Sequence, residues 1–378
     1  MQKNSSRSNL VVSPAQVAAF RLQRHHLRDF SSVDAVSICS DICGVQAQMM
    51  QAAYLQFWTR NHDLTRRHIE DALWNRHVLV KTSLMRQTIH IIPTTEFPVY
   101  ISALKASRVA QALRVMARFK IGPDEGHFLT GLILEALSGG PLGRAAIRNA
   151  IRPRVSKRVR AWMEAVWSIM RIPVADGLVC YGPGEGNEIN FIRVDQWLGH
   201  IKTIPPMEAQ AILLRKYLRA YGPASVRDFA HWAGIPMKES REAYGCIQEE
   251  RMTVKVSKQD CDILKDDADE IGAVKLSRGV ARLLPLFDPF LLAHAEKTHL
   301  LQALHYKRVY RNQGWISAVI LVDGKIVGTW AYRFERNTII VELQPFASLQ
   351  RAVRSRLSKE AAALARFFGK DLKLKFSD

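Results

Sequence analysis

One order of elements, a run of helices followed by a β-hairpin, recurs along this chain, and a repeated unit restricts the fold more than composition does. In the first copy Ser13-Pro14-Ala15-Gln16 offers an N-cap serine, a proline at the first helical position and a glutamine at N3. That capping box opens a helix reaching about residue 27. Ser32 is expected to cap a second helix over 33–43, with Val33, Val36, Cys39, Ile42 and Cys43 on one face and Gly44 as the breaker. Helices over 51–59 and 66–76 follow. The β-branched runs 78–84 and 87–92, split by Met85-Arg86, then read as a hairpin. Helices closed by a hairpin are the order of a winged helix-turn-helix.

Gly140-Pro141-Leu142 opens the second copy, with a helix carrying Arg144, Arg148 and Arg152, another over 157–170, and strands over 177–181 and 188–194. The glycine-rich turn at 182–187 lies between two strands, so it reads as a wing; a dinucleotide loop needs a helix after its glycines. Gly222-Pro223-Ala224 opens the third copy. There 226–232, the turn Gly234-Ile235-Pro236 and 238–247 give the plainest helix-turn-helix in the chain. Its wing is expected from strands over 252–256 and 273–276, with the acidic stretch 260–270 as a solvated loop between them. From residue 281 short strands take over, with Asp323-Gly324 as a hairpin turn and a last helix over 349–368. The expected fold class is α+β: three tandem winged helix-turn-helix domains at 1–120, 121–203 and 204–280, then a small β-barrel-like domain at 281–378.

Charge points to the partner. Lys and Arg number 54 against 35 Asp and Glu, leaving +19 with histidine neutral, and such a surplus repels itself unless a polyanion offsets it. Between residues 144 and 160 stand Arg144, Arg148, Arg152, Arg154, Lys157, Arg158 and Arg160 with no acidic residue. The first three are spaced to share one helical face along a phosphate backbone. Such contacts position a protein without reading sequence, and residues 238–250 show no evident set of base readers. Five cysteines, an odd number without a CxxC pair, fit a reducing cytosol, and Cys39 with Cys43 reads as buried apolar surface. No histidine pattern matches a zinc protease or zinc deaminase, so no metal and no cofactor is expected. The first ten residues lack a secretory apolar region. The longest uncharged stretch, 42–59, carries Gln46, Gln48, Gln51 and Gln56, so no membrane span is expected.

Gly44-Val45-Gln46-Ala47-Gln48, just past a helix end, is the most pointed motif, although two glutamines taken alone are more often a solvated pair. Taken in order with the aromatic helix of Tyr54, Phe57 and Trp58, LMRQTIHIIP at 84–93, YGPASVRDFAHWAG at 221–234, LLPLFDPFLLAH at 283–294 and GWISAVILVDGKIVGTW at 314–330, it resembles the AlkZ/YcaQ family of winged-helix DNA glycosylases. The blocks span about residues 10 to 350. Gln46-Ala47-Gln48 is similar to the glutamine, aliphatic, glutamine motif of the AlkZ-like branch, so the resemblance implies Gln46 and Gln48 as the catalytic pair. His90 and Pro93 match the histidine and proline that follow the family's first hairpin, and Arg86 and His90 are expected as DNA contacts beside Arg144, Arg148, Arg152, Arg154, Lys157 and Arg158. The chain departs from the family at Gln87, where glycine is usual, and near Pro289, where an acidic residue is usual.

What the resemblance implies is a monomeric bacterial enzyme of the cytoplasm, associated with the nucleoid. It would act in base excision repair on double-stranded DNA with alkylated bases, and unhooking of interstrand crosslinks lies within its expected range. Glutamine does not titrate; its amide oxygen accepts from water and its NH2 donates, but it is no strong general base. The leaving base must therefore be a good one already, which favours cationic N7-alkylguanine and N3-alkyladenine over uracil or hypoxanthine. No lysine stands where a Schiff-base nucleophile is expected, which implies a monofunctional enzyme. The alternative is a non-enzymatic tandem winged-helix DNA-binding protein or transcriptional regulator, which the fold alone would suit equally.

Overall fold

The computed structural model describes residues 10–29, 32–165, 169–184, 189–275 and 279–377. Its contacts group the chain into two compact units, one of residues 1–66, 214–232 and 247–378, the other of 67–213 and 233–246.

In the first unit the capping box forms as expected. Gln16 N donates to Ser13 Oγ, Ser13 N donates back to Gln16 Oε1, and the helix runs Pro14–Arg24. The next helix, Ala35–Asp41, is capped by Asp34 rather than Ser32. The Asp34 carboxylate accepts from the amides of both Val36 and Ser37, two orphan donors that Ser32 stands too far back to reach. Cys43 and Gly44 then turn left-handed, at φ 57° and 96°, and Gly44 N donates to Cys39 O at 2.8 Å, closing the helix and releasing the chain into Val45–Gln46. Helix Met50–Trp58 follows, nearly all of it buried.

A five-stranded sheet holds the C-terminal part of this unit, in the order Ala281–Leu284, Val319–Val322, Lys325–Glu335, Thr338–Pro345, Asp371–Phe376. The first four strands are antiparallel. The fifth pairs parallel with Thr338–Pro345 after a crossover through helix Arg351–Phe368. Leu357, Ala361 and Leu364 of that helix pack on Leu283, Ile339, Val341 and Leu343. The expected barrel is corrected: among the described residues no pairing joins the first strand to the last, and the sheet stays open with the helix packed on one face.

The third hairpin also differs from expectation. Arg251–Val256 pairs antiparallel with Gln259–Leu264 across a two-residue turn in which Ser257 is left-handed, and Val11–Val12 adds a parallel third strand. The acidic stretch is therefore half strand: Ile263 and Leu264 are buried while Gln259 and Asp260 face solvent, a half-buried edge that charge disguises in the sequence. Farther along, Asp267 is buried and takes Arg24 Nη2 at 2.7 Å. No strand forms over the described part of 273–276: Ala273 ends helix Ala268–Ala273, Val274 and Lys275 follow without a regular element, and residue 276 lies outside the described residues.

In the second unit the hairpin Leu79–Ser83 with Ile89–Pro93 forms as the sequence suggests. The second hairpin, Val179–Gly182 with Asn190–Arg193, joins it edge to edge through Lys81 and Tyr181, while Leu142–Gly143 extends the far side. Residues 185–188 of the expected second wing and 166–168 of the expected helix 157–170 lie outside the described residues, and the described helix is Lys157–Ala165. Two long helices complete the unit, Phe97–Ala117 with Pro98 in its first turn and Pro123–Ala136 with Asp124 and Glu125 in its first turn. Neither is foreseen above. The core beneath them gathers Met116, Leu132, Ile133, Ile147, Trp162 and Phe191.

Burial holds several imidazoles below their ordinary range: His25 and His294 far below, His62 at about 4, His90 at about 3 and His299 at about 2, with neighbouring cations adding to the effect. Their folded values lie under the unfolded one, so each contributes stability in full above about pH 6.5 and loses it as the pH falls. Glu360, pushed up to about 7 by burial, acts in the opposite direction by one proton. Unfolding free energy from urea titrations should therefore drop between pH 7 and pH 5, each histidine adding a slope of up to about 1.4 kcal/mol per pH unit. A flat profile over that range would contradict the burial of these rings in a neutral state.

Candidate active site

The glutamine motif owes its shape to the turn before it. With Cys43 and Gly44 both left-handed, the chain leaves helix Ala35–Asp41 abruptly, and Val45 and Gln46 run extended. Gln46 is 5% exposed and Ala47 is fully buried, whereas Gln48 is exposed. One glutamine of the pair is thus set in the interior and the other at the surface beside it.

The backbone of Gln46 is held by a second glutamine. Gln46 N donates to Gln56 Oε1 at 3.1 Å, and Gln56 Nε2 donates back to Gln46 O at 3.0 Å, so the side-chain amide pairs with the motif as a neighbouring strand would. Gln56 is fully buried on helix Met50–Trp58, and its NH2 also reaches Leu286 O at 3.4 Å. Behind it Arg60 Nη1 donates to Gln56 O at 2.8 Å. The same guanidinium grips Asp288 with two bonds of 2.9 Å, both side chains being 0% exposed. Asp288 also accepts from Phe290 N at 3.0 Å. A bidentate, fully buried pair is rigid, and its removal by halves leaves an uncompensated charge. Asp288 directly precedes Pro289, so the acidic residue reckoned a departure in the sequence is present one position before that proline. Sequence reasoning missed Gln56, Arg60 and Asp288 as a set. The available signal was a glutamine and an arginine four positions apart, at the end of an aromatic helix and just past it.

The remaining expected residues lie in the second unit. Arg86 and Gln87 form the tip of the first hairpin and are both left-handed, at φ 53° and 58°, which accounts for glycine being usual where Gln87 stands. The tip is closely fitted. A Cβ on Gly234, itself at φ 75° in the turn of the helix-turn-helix, would lie 2.9 Å from Arg86 N. His90 is 3% exposed, with Nδ1 bonded to Thr88 O at 2.9 Å. Burial, and then the nearby Arg86, holds its pKa at about 3, so it is a neutral interior group and offers no charge to a phosphate.

Arg144 and Arg148 share helix Arg144–Ile151, and Arg152, still αR with its N–H on Arg148 O, carries that face on to a 3-10 turn with Pro153 and Arg154, where the regular helix ends; Arg148 and Arg152 line one small cavity with Arg160. Acidic partners absent from the local sequence arrive from elsewhere. Arg154 meets Glu135 at 2.6 Å, Arg158 meets Glu125 at 2.7 Å, and Arg152 meets Glu164 at 3.4 Å. These are exposed pairs worth little, and a phosphate could displace them. Arg152, Arg154, Lys157 and Arg158 are exposed, while Arg144 and Arg148 are half-buried. Arg86 and Arg144, far apart in sequence, line one cavity of about 390 Å³ together with Arg108 and Arg171, which sequence reasoning missed.

A family model described as DNA glycosylase AlkZ-like matches residues 40–367, and the chain belongs to this family of hydrolases. The resemblance read from the ordered motifs is thereby borne out. Among its relatives is the interstrand DNA cross-link repair glycosylase of Streptomyces sahachiroi, 30% identical over 366 residues that cover 94% of this chain and 96% of that protein. The solved structure of the Streptomyces sahachiroi DNA glycosylase AlkZ matches with a TM-score of 0.85 at 28% identity, covering 97% of this chain and all of the other.

The buried frame predicts an asymmetric response to mutation. Asp288→Asn should lower the unfolding free energy in urea by about 3–5 kcal/mol, since Arg60 keeps its charge without its counterion. The double change Arg60→Met with Asp288→Leu should recover much of that loss. Equal losses in the single and double variants would show that the pair does not behave as one unit.

Proposed function

We propose that this protein is a monofunctional DNA glycosylase that hydrolyses the N-glycosidic bond of cationic alkylated purines in duplex DNA, with Gln46 and Gln48 as the catalytic pair. The observation that carries this reading is the buried amide frame. Gln56, backed by Arg60 and Asp288, fixes the Gln46 backbone on both its N–H and its C=O side and leaves Gln48 exposed beside it. Such rigidity suits a group that must hold a water and a sugar in one geometry while neither glutamine takes a proton.

In the proposed step the bond from C1′ to N9 breaks and its electron pair leaves with the purine, turning a cationic base into a neutral one. The oxygen of water bonds to C1′, and its proton passes to solvent. A glutamine oxygen accepts a hydrogen bond from the water, and a glutamine NH2 donates to the sugar or base, so partial charge is steadied without acid or base catalysis. An N7-alkylguanine joined to both strands has the same leaving group, so crosslink unhooking follows from the same chemistry, and the relative's name is that of an interstrand DNA cross-link repair glycosylase.

The finer reading of the fold belongs with this proposal. The modules at 1–120, 121–203 and 204–280 are taken as tandem winged helices on a monomer, and Arg86, Arg144, Arg148, Arg152, Arg154, Lys157 and Arg158 as phosphate contacts. His90 is taken as an interior support of the first hairpin, for the burial described above.

Base release from duplex DNA carrying N7-methylguanine, scored by alkaline cleavage of the abasic product, tests the assignment. Wild-type protein should release the base, and Gln46→Ala and Gln48→Ala should each be slower by at least about 100-fold at unchanged duplex affinity, the scale of losing one preorganised polar contact. Wild-type rates in both variants would remove the pair from the chemistry.

A further inference from the structure

Four arginines from four separate elements of the second unit converge on the cavity of about 390 Å³: Arg86 at the hairpin tip, Arg108 on helix Phe97–Ala117, Arg144 opening helix Arg144–Ile151, and Arg171 opening helix Arg171–Ala175. Its volume lies within the range of about 300–1,000 Å³ typical of small-ligand sites. Gln87 and Tyr181 add polar atoms to the wall, which contains no carboxylate among the described residues.

Arg108 is the informative member. It is 93% buried by its 7% residual exposure, and its Nε and Nη1 are buried without a hydrogen-bond partner. Burial costs a guanidinium most when its donors go unused, and this one keeps its proton at neutral pH, its pKa falling only to about 10. Asp176, the acid that acts on it at a distance, is already bonded to Lys105 at 3.1 Å. Arg171 is oriented by its bond to Gln87 Oε1 at 3.1 Å, so the wall is organised as well as charged. A structural role for Arg108 would have matched its donors to carbonyls, as Arg21 does in the other unit with Tyr221 O at 3.0 Å and Pro223 O at 2.8 Å.

We propose that this cavity is a phosphate seat, with Arg108 as its buried ligand and Arg86, Arg144 and Arg171 as the surrounding charge. The planar fork of arginine fits the tetrahedral oxygens in bidentate fashion, and a group seated so deeply would fix the register of a bound strand. That the phosphate is one of the DNA backbone rests on the glycosylase reading; the anion site itself does not.

Arg108→Met keeps the bulk of the stem and removes the charge, and Arg108→Lys keeps the charge without the fork. Sodium pyrophosphate, titrated at constant ionic strength against a chloride control, should raise the wild-type melting temperature. The shift should vanish in Arg108→Met and shrink in Arg108→Lys. Binding of undamaged duplex should weaken about 10-fold in Arg108→Met, its dependence on log salt should lose about one unit of slope, and pyrophosphate should compete with duplex for wild type only. Loss of the pyrophosphate response with an unchanged salt slope would assign the seat to a free phosphate or nucleotide instead of the backbone. A pyrophosphate response and a salt slope both equal to wild type in Arg108→Met would overturn the proposal. Undamaged duplex isolates this result from the chemistry: absent base release with the Arg108 effects intact would count against the glycosylase reading alone.

Discussion

The ion pair between Arg60 and Asp288 supports everything that follows at the glutamine motif. Both side chains are fully buried, joined by two bonds of 2.9 Å, and separated by 228 positions in the chain. Taken alone such a pair is weak evidence for stability, since desolvation offsets attraction. Its effect here is specificity of position. It ties the loop around Pro289 to helix Met50–Trp58, and through the Gln56 amide it sets where the backbone of Gln46 runs. An apolar pair of the same volume would fill the space and leave that register unspecified.

The same economy of charge runs through the molecule. Where cations are buried, as at Arg21 and Arg60, carbonyls or a carboxylate meet them. Where they stand exposed, as at Arg154 and Arg158, acidic partners from another helix take part of the charge. Arg108, in the four-arginine cavity, departs from this pattern with buried Nε and Nη1 donors unmatched, and a departure from local consistency is where function is expected. Buried histidines, held neutral, add no charge to the interior near neutral pH and carry a cost only when the solution turns acidic.

Local signals proved legible. The Ser13 box, the left-handed Gly44 and Gly234, and the Asp323-Gly324 hairpin turn each depend on residues within a few positions of one another, and the chain obeys them. The ordered motifs likewise led to the right family. What stayed hidden depends on distance. No periodicity announces that two hairpins share one sheet through Lys81 and Tyr181, that Asp288 meets Arg60, or that Arg108 and Arg171 line a cavity with Arg86 and Arg144. The strand Asp371–Phe376 was missed because its alternation is Asp, Leu, Lys, Leu, Lys, Phe, short and charged. It adds parallel at the edge of a sheet that stays open among the described residues, where a barrel was expected. Gln46 stands out in the sequence as half of a motif, but its burial, and the exposure of Gln48 beside it, depend on the fold.

The proposed catalytic pair has no titratable group, which would place the burden of the reaction on the leaving base. Single-turnover rates on two duplexes of one sequence, one with N7-methylguanine and the other with uracil at the same position, test that claim most directly. The account predicts release of the cationic base and release of uracil slower by at least about 100-fold, roughly 2.7 kcal/mol of barrier. Comparable rates on the two substrates would contradict it, since a neutral pyrimidine leaves only with acid or base assistance that two glutamines do not provide.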